Sequence, residues 1–392
     1  MDQQHNIQNQ SGYPRPRLDV MLYGHDGRGL GHASRTIAIG MALRRLYPEL
    51  RVLFVSGAAV SQSLIGGAGL DWIKLPSYAS KIEDGISTGV KGPANFSKFD
   101  LQHYRSEMLV QIVTSLRPRV ILVDHSPLGK RAELAAAIAA SKSSETSWIL
   151  GLRAIIGCPK NFWTAATRTC FESSYHSIFW YGDQTVLGSR QVDQIEHHFG
   201  QRPIQLGYVS RLHEMLQLAA PKTQKLTGTI SLPWLSPASI SFIQAIKLAI
   251  SLRDPDERWR IFVNNDDLHK MRRQFQGLSG VQVEPVGQPY INALVNSRMA
   301  VIYGGYNSLM DVLTAAVPAL VIMREMIDKE QEEHIRLLQE YCPGSLVVVK
   351  EGSVDKKELS GAIELLLKKR IKRQPLNLAG SEAAARQISF LL

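Results

Sequence analysis

Residues 303–311 of this chain read YGGYNSLMD and end the apolar run Met299–Tyr303. The run predicts a strand, the two glycines end it, and Asn307 or Ser308 can cap the helix that follows. A glycine-rich turn at a helix start leaves backbone N–H groups free at the positive end of the helix dipole, which suits a phosphate or diphosphate. Asp311, about one turn into the helix, can reach a ribose hydroxyl. The alternative is an ordinary strand–turn–helix unit of an α/β domain.

Outward from this segment, short apolar runs alternate with helical periodicity along the whole chain. In the first half the expected strands are Leu18–Tyr23, Arg51–Ser56, Val120–Asp124, Trp148–Ala154, Ile178–Tyr181 and Ile204–Leu206. The pattern restarts after a linker at 219–223, and the strands expected there are Leu226–Leu232, Trp259–Val263, Val281–Val283, Ala300–Tyr303, Pro318–Met323 and Ser345–Val349. Helices are expected between the strands, among them 130–140 and 238–251.

This alternation predicts an α/β protein with two Rossmann-like, doubly wound domains that face a central cleft. We expect a flexible N-terminal tail at 1–16, a first domain at 17–215, a second domain at 216–370 and a closing segment at 371–392. Ligands of such sheets bind outside the carboxyl ends of the strands, so the cleft is the expected site.

Composition limits the functional classes. The chain has 392 residues, a formal net charge of +10 and three cysteines without paired or metal-ligand spacing. The cysteines favour a reducing, cytoplasmic compartment, and the polar first residues are not expected to form a signal peptide. The positive charge is shared by both halves and favours anionic small molecules.

The basic cluster 368–373 is expected to end a helix, with a membrane-surface contact as the alternative. Nucleic acid is not expected as a partner, because no aromatic-interleaved basic stripe accompanies the cluster.

A second glycine-rich segment lies near the N-terminus, where residues 23–35 read YGHDGRGLGHASR. It follows the first predicted strand and begins the first predicted helix. The glycine spacing is not that of a dinucleotide fingerprint, and the strand Arg51–Ser56 does not end in an acidic residue that could hold a ribose. Hydride transfer is therefore not expected.

Histidines are candidate bases at this turn. His32 lies at the predicted entry into the helix, where a neutral imidazole can accept a proton from an acceptor hydroxyl. His25 with Asp26, and His125 with Asp124, are further candidates at strand ends. A structural hydrogen-bonding role is the alternative for each histidine.

The segments 29–35, 304–308 and 330–331 together resemble the GT-B glycosyltransferases. The resemblance is closest to the glycosyltransferase-28 type, which includes the N-acetylglucosamine transferase of peptidoglycan synthesis, and to a group of bacterial predicted glycosyltransferases. That group is also similar at 23–26, 123–129, 151–153 and 181–183. The resemblance extends from about Leu18 to Leu367.

The resemblance implies a role for each matching residue. The donor, a nucleotide-sugar, would be held by Gly304, Gly305, Asn307, Ser308, Asp311, Arg324, Glu330 and Gln331. The acceptor side of the cleft would be formed by Gly29, Gly31, His25, Arg35, His125 and Arg153. His32, Asp26 and Asp124 are the candidate catalytic groups.

The implied reaction moves a sugar from a nucleoside diphosphate, with UDP-hexose or UDP-N-acetylhexosamine expected, to a small-molecule, natural-product or lipid acceptor. By analogy with the family it resembles, the chain is expected to transfer the sugar without a metal and with inversion, and without a cofactor. One departure is the segment 229–234, where Pro233 and Trp234 stand in place of glycines. It keeps open a non-catalytic nucleotide-sugar-binding partner subunit, beside an epimerase or hydrolase of the same fold.

The acceptor surface is less defined. Segments 78–92 and 93–104 are long, polar and contain glycine, and are expected to form acceptor loops. A peripheral membrane contact would use the apolar pairs 155–156, 162–163 and 179–180, although such residues usually belong to the core. The sequence does not indicate an oligomeric state.

Overall fold

The computed structural model describes residues 17–25, 31–83, 86–90, 92–157, 162–220, 223–233, 235–324, 329–371 and 375–392, with the backbone alone at 79–83, 86–90, 288 and 353. The predicted tail at 1–16 lies outside the described residues, as do the candidates Asp26 and Gly29, and Trp234 of the departing segment.

The first half of the chain builds a parallel sheet of seven strands. Its strands are β1 (Val20–Gly24), β2 (Val52–Ser56), β3 (Asp71–Lys74), β6 (Val120–Asp124), β7 (Ser147–Arg153), β8 (Tyr175–Tyr181) and β9 (Ile204–Gln205). The strands β4 (Ala79–Glu83) and β5 (Ile86–Val90) form a separate antiparallel hairpin. The sheet order is β3-β2-β1-β6-β7-β8-β9, and β4 pairs only with β5. The accompanying helices are α1 (Gly31–Leu46), α2 (Ser61–Ile65), α3 (Lys98–Leu116), α4 (Ala135–Ala140), α5 (Ala165–Ser174), α6 (Gln184–Leu187), α7 (Arg190–Phe199) and α8 (Arg211–Leu218).

The second half builds a parallel sheet of six strands in the order β12-β11-β10-β13-β14-β15. These are β10 (Leu226–Leu232), β11 (Trp259–Val263), β12 (Val281–Pro285), β13 (Ser297–Tyr303), β14 (Ala319–Met323) and β15 (Leu346–Lys350). The helices are α9 (Ser239–Ser251), α10 (Asn265–Phe275), α11 (Gln288–Val295), α12 (Tyr306–Ala315), α13 (Glu330–Tyr341), α14 (Lys356–Lys368) and α15 (Gly380–Ser389).

Helices cover both faces of each sheet, so the central strands are buried throughout. Every residue of β1, β6 and β10 is buried, which explains why these strands appear as continuous apolar runs in the sequence. The predicted two-sheet α/β architecture is confirmed, and each strand expected from the sequence is present.

The two halves share a buried interface. One core cluster contains side chains of β1 and α1 together with Leu309 and Val312 of α12. Helix α15 returns to the first half, where Glu382 pairs with Arg45 at 2.8 Å and Ser389 bonds to Tyr47. The predicted boundary after residue 215 lies inside α8, which packs against both α1 and α12.

Three secondary-structure predictions were wrong. The helix expected at 130–140 is broken, because Arg131 and Ala132 adopt positive φ angles of 55° and 60°, so a 3-10 turn comes before α4. The acceptor loop expected at 93–104 contains the start of α3, whose first turn is capped by the side chain of Ser97. The segment 78–92 contains the β4–β5 hairpin and not a long loop.

The apolar pairs considered for a membrane surface belong to the core. Ile155, Ile156, Phe162, Phe179 and Trp180 are all buried, and Trp163 packs against the same cluster. The five buried side chains cannot contact a bilayer in this fold, and within the described ranges no helix is both long and apolar enough to span one.

Candidate active site

The strongest polar cluster lies where β1 and β6 end beside each other and α1 begins. Asp124, the last residue of β6, is 1% exposed. Its Oδ2 accepts from Nδ1 of His32 at 2.6 Å and from the guanidinium of Arg35 at 3.1 Å. His32 and Arg35 both lie in the first turns of α1. The structure therefore brings together two of the predicted catalytic residues and one predicted acceptor-side residue.

The bond to Asp124 assigns the tautomer of His32. The guanidinium of Arg35 also lies 3.1 Å from Nδ1, but the carboxylate is closer and can only accept. We therefore assign the proton to Nδ1, which leaves the lone pair on Nε2. Burial lowers the pKa of His32 well below its usual value, and the nearby charges of Arg35, Arg153 and Lys130 lower it further. The imidazole is thus neutral at pH 7, the state that a general base requires.

Two further histidines flank His32. The ring of His25, which follows β1, lies 4.8 Å from the His32 ring, and the ring of His125 lies 5.4 Å from it. Burial, Arg153 and His32 lower the pKa of His125 well below its usual value. His125 stacks on the buried Phe162 at 5.0 Å. The predicted His25 and His125 therefore lie beside the His32–Asp124 pair.

The glycine turn of the second half faces this cluster. Helix α12 begins at Tyr306 with Gly305 in the capping position, so neither Asn307 nor Ser308 caps it, contrary to expectation. The side chain of Asn307 instead donates to the carbonyl of Gly31 at 3.3 Å. At Gly305 no described atom lies within 4 Å of where a Cβ would stand, so this part of the turn is open to a ligand.

Tyr306 joins the two halves. Its hydroxyl accepts from the backbone N–H of Val209 at 2.9 Å and donates to the carbonyl of Tyr181 at 3.0 Å. The guanidinium of Arg35 lies 5.3 Å from the Tyr306 ring centroid. These contacts hold the N-terminus of α12 against the N-terminus of α1.

Asp311 lies on the face of α12 that packs on α8. Burial raises its pKa to about 7, although Arg211 and a hydrogen bond from the backbone of Leu212 act in the opposite direction. In this structure its carboxyl group thus has protein partners, and the predicted contact with a ribose stays a prediction.

Arg324, the predicted phosphate partner, is also engaged. Its Nε donates to Glu351 at 2.8 Å, and its guanidinium lies 3.9 Å from the Tyr303 ring centroid. Burial alone would raise the pKa of Glu351, but hydrogen bonds from Arg324, Ser239 and Tyr303 hold it below its usual value. A carboxylate therefore already balances the Arg324 charge. Directly before the departing segment 229–234, Gly228 is required by packing, because a Cβ there would stand 2.3 Å from the Trp259 ring.

Glu330 and Gln331 lie in the first turn of α13. Glu330 forms an ion pair with Arg153 at the end of β7, so this pair connects the predicted donor and acceptor sides. One helical turn further along, His334 is 4% exposed and its Nε2 has no described partner. Sequence reasoning missed His334, although its spacing of four residues from Glu330 places both on one helix face.

The two helix starts beside the cluster present no acidic side chain. Residues 31–34 and 306–309, the first turns of α1 and α12, contain no acidic side chain. Among described residues, a group with the spacing of metal ligands occurs at His213, Glu214 and Glu382. Arg45 lies within 2.9 Å of both carboxylates of that group and neutralises them.

Two facing Rossmann-like sheets, with a glycine-initiated helix directed at the cleft, define the GT-B fold, and comparison with solved structures confirms this fold. The MurG protein of Acinetobacter baumannii is 10% identical, with 95% of each chain covered and a TM-score of 0.52. The UDP-GlcNAc 2-epimerase of Methanocaldococcus jannaschii is 11% identical, with 96% of this chain and 99% of that chain covered and a TM-score of 0.61. The spinosyn rhamnosyltransferase SpnG is 13% identical, with 95% of each chain covered and a TM-score of 0.53. No protein-family model and no curated protein matches the chain.

Proposed function

We propose that this chain is a glycosyltransferase that moves a sugar from a nucleoside diphosphate, with UDP expected, to an acceptor hydroxyl or amine, without a metal and with inversion. The observation that carries the proposal is the His32–Asp124 pair, placed at the N-terminus of α1 and opposite the N-terminus of α12. The arrangement sets a base and an anion site against each other across one cleft.

In the proposed reaction, Nε2 of His32 takes the acceptor proton while the acceptor oxygen forms its bond to the anomeric carbon. The bond between that carbon and the diphosphate oxygen breaks in the same step. Asp124 stabilises the imidazolium that forms. The free N–H groups of both helix N-termini, together with Arg35, stabilise the charge that grows on the diphosphate.

The neighbours support a nucleotide-sugar as the donor. The Methanocaldococcus enzyme was also solved with UDP-GlcNAc and UDP, and SpnG with thymidine diphosphate. We therefore test binding first, by thermal unfolding with UDP, GDP, dTDP, CDP, ADP and NAD. A ligand at about 100 times its dissociation constant adds roughly 2.7 kcal/mol to the free energy of unfolding. A chain that none of the nucleoside diphosphates stabilises would contradict the proposal.

An epimerase is the second candidate, because the epimerase neighbour has the higher TM-score. Epimerisation exchanges a hydrogen on a sugar carbon and returns a nucleotide-sugar, whereas transfer and hydrolysis leave the sugar separated from the diphosphate. Incubation of the nucleotide-sugar in deuterium oxide separates them. Deuterium in the recovered donor indicates epimerisation, and a glycoside or free sugar formed together with nucleoside diphosphate, without deuterium in the donor, indicates transfer or hydrolysis. A non-catalytic binding subunit would give neither.

A further inference from the structure

His125 has a backbone conformation that histidine rarely adopts. Its φ angle is 86°, in the left-handed region where a Cβ is unfavourable. Arg117 and Ala316 also have positive φ, but each ends a helix, where this conformation is common. His125 instead follows the strand β6 directly. A strained residue next to a reactive pair is a reason to look for a function.

Several contacts hold His125 in place. Its backbone N–H donates to the carbonyl of Gly151 at 2.9 Å. Its ring lies nearly parallel to Phe162, with an angle of 16° between the planes, and Phe162 is 3% exposed. Phe162 thus covers one face of the ring, which lies next to Asp124 in the chain and 5.4 Å from the His32 ring.

His125 differs from His32 in its hydrogen bonding within the described structure. Its Nδ1 is buried and has no described hydrogen-bond partner. Such a group costs free energy in the absence of a ligand. The low pKa of His125 keeps the ring neutral, so it offers one N–H donor and one acceptor nitrogen.

We propose that His125 binds the oxygen of the acceptor nucleophile and directs its O–H toward Nε2 of His32. A ring N–H would donate to the oxygen, which leaves the acceptor proton free to point at the base. A hydroxyl acceptor fits this arrangement, because its oxygen accepts from the ring N–H while its single proton points at the base. The inference rests on the proposed function and narrows it.

The test compares His125→Gly, His125→Ala and His125→Asn in the full chain. Gly and Ala both remove the ring, but only glycine adopts positive φ without strain. The control pair is Arg117→Gly and Arg117→Ala, at an exposed residue with a φ of 46° at the opposite end of β6. Each variant is measured for melting temperature, for nucleotide affinity, and for nucleoside diphosphate release from UDP-glucose and the other commercial nucleotide-sugars. Water and 4-methylumbelliferone serve as probe acceptors.

We expect the melting temperature of each Gly variant to exceed that of its Ala partner. Release should fall about tenfold or more in both His125→Gly and His125→Ala, the loss of one hydrogen bond of about 1.4 kcal/mol in the transition state, with nucleotide affinity unchanged. His125→Asn, which keeps an N–H donor, should recover part of the rate, and the Arg117 variants should keep the full rate.

Wild-type release by His125→Gly would overturn the inference and leave the proposed function in place. Equal loss of rate and nucleotide affinity would also overturn it, since it would show a structural role. A wild-type chain that neither binds nor consumes any nucleotide-sugar would instead remove the proposed function, and the inference with it.

Discussion

Asp311→Asn is the substitution with the clearest expected signature. Asp311 ionises at about pH 7 in the folded chain, against a usual value of 3.8. Because a pKa difference of 1 corresponds to about 1.4 kcal/mol, this difference of about 3 gives an upper bound of about 4 kcal/mol for the destabilisation of the fold by the ionised carboxylate. We expect about half of that, because part of the side chain remains exposed to solvent.

The direction in which the stability changes with pH follows from the raised pKa of Asp311. The unfolded chain releases the Asp311 proton above pH 4 and the folded chain only near pH 7, so this carboxyl group lowers the stability of the wild-type as pH rises between those values. Asn cannot ionise. The free-energy advantage of Asp311→Asn should therefore grow from pH 5 to pH 7 and stay constant from pH 7.5 to 9, at about 2 kcal/mol.

Urea unfolding at each pH measures this difference. Asp71→Asn, which removes an exposed carboxylate of β3, is the control for the loss of one negative charge. A pH-independent difference, or a more stable wild-type at pH 8, would refute the reasoning from burial. The same variant also tests the ribose role, because loss of the carboxylate should weaken nucleotide binding. An unchanged affinity would exclude that role.

The other predictions concern the His32–Asp124 pair, the contact that Tyr306 makes between the two halves, and the expected independence from a metal ion. His32→Ala should lower turnover by roughly 10² to 10⁴ with nucleotide affinity unchanged; a matching loss of affinity would indicate a structural role. Asp124→Asn should lower turnover by about 10⁴, since an amide N–H directed at Nδ1 would favour the wrong tautomer of His32, and activity near wild-type would contradict the assigned tautomer. Tyr306→Phe leaves two buried backbone groups unpaired and should cost about 2 kcal/mol in urea unfolding; a neutral result would show that water replaces the hydroxyl. EDTA should not change turnover, and a loss that Mg²⁺ restores would disprove metal independence.

The strands were predictable because burial on both faces produces uninterrupted apolar runs, as in Val120–Asp124 and Leu226–Leu232. The helices were less predictable from the sequence. The segment 130–140 has good helix formers, yet the positive φ values of Gly129, Arg131 and Ala132 break the helix, and such values depend on tertiary packing. The start of α3 had a local signal in Ser97 that polar composition obscured.

The site was predictable to the extent that it lies at strand ends. His32 and Asp124 are 92 positions apart in the sequence, and the adjacency of β1 and β6 brings them within 2.6 Å. The partners of Asp311 and Arg324 were not predictable, because Arg211 and Glu351 reach them from elements whose placement no local pattern encodes. His334 did carry a local signal, since it lies four residues from Glu330 on the same helix face, but that spacing does not indicate its burial.

The contact between α1 and α12 has an electrostatic consequence for the empty protein. Two positive helix ends meet at Gly31 and Asn307, with no acidic side chain in either first turn and with Arg35 nearby. Asp124 offsets part of this charge, but its carboxylate is already shared by His32 and Arg35. An anion in the cleft would reduce the repulsion of the helix ends, so its binding would strengthen the contact between the two halves. Inorganic pyrophosphate alone should therefore raise the melting temperature, and more so at low salt, where the charges are least screened. Stabilisation that requires the nucleoside and is independent of salt would show that the base and ribose hold the donor and that the helix ends contribute little.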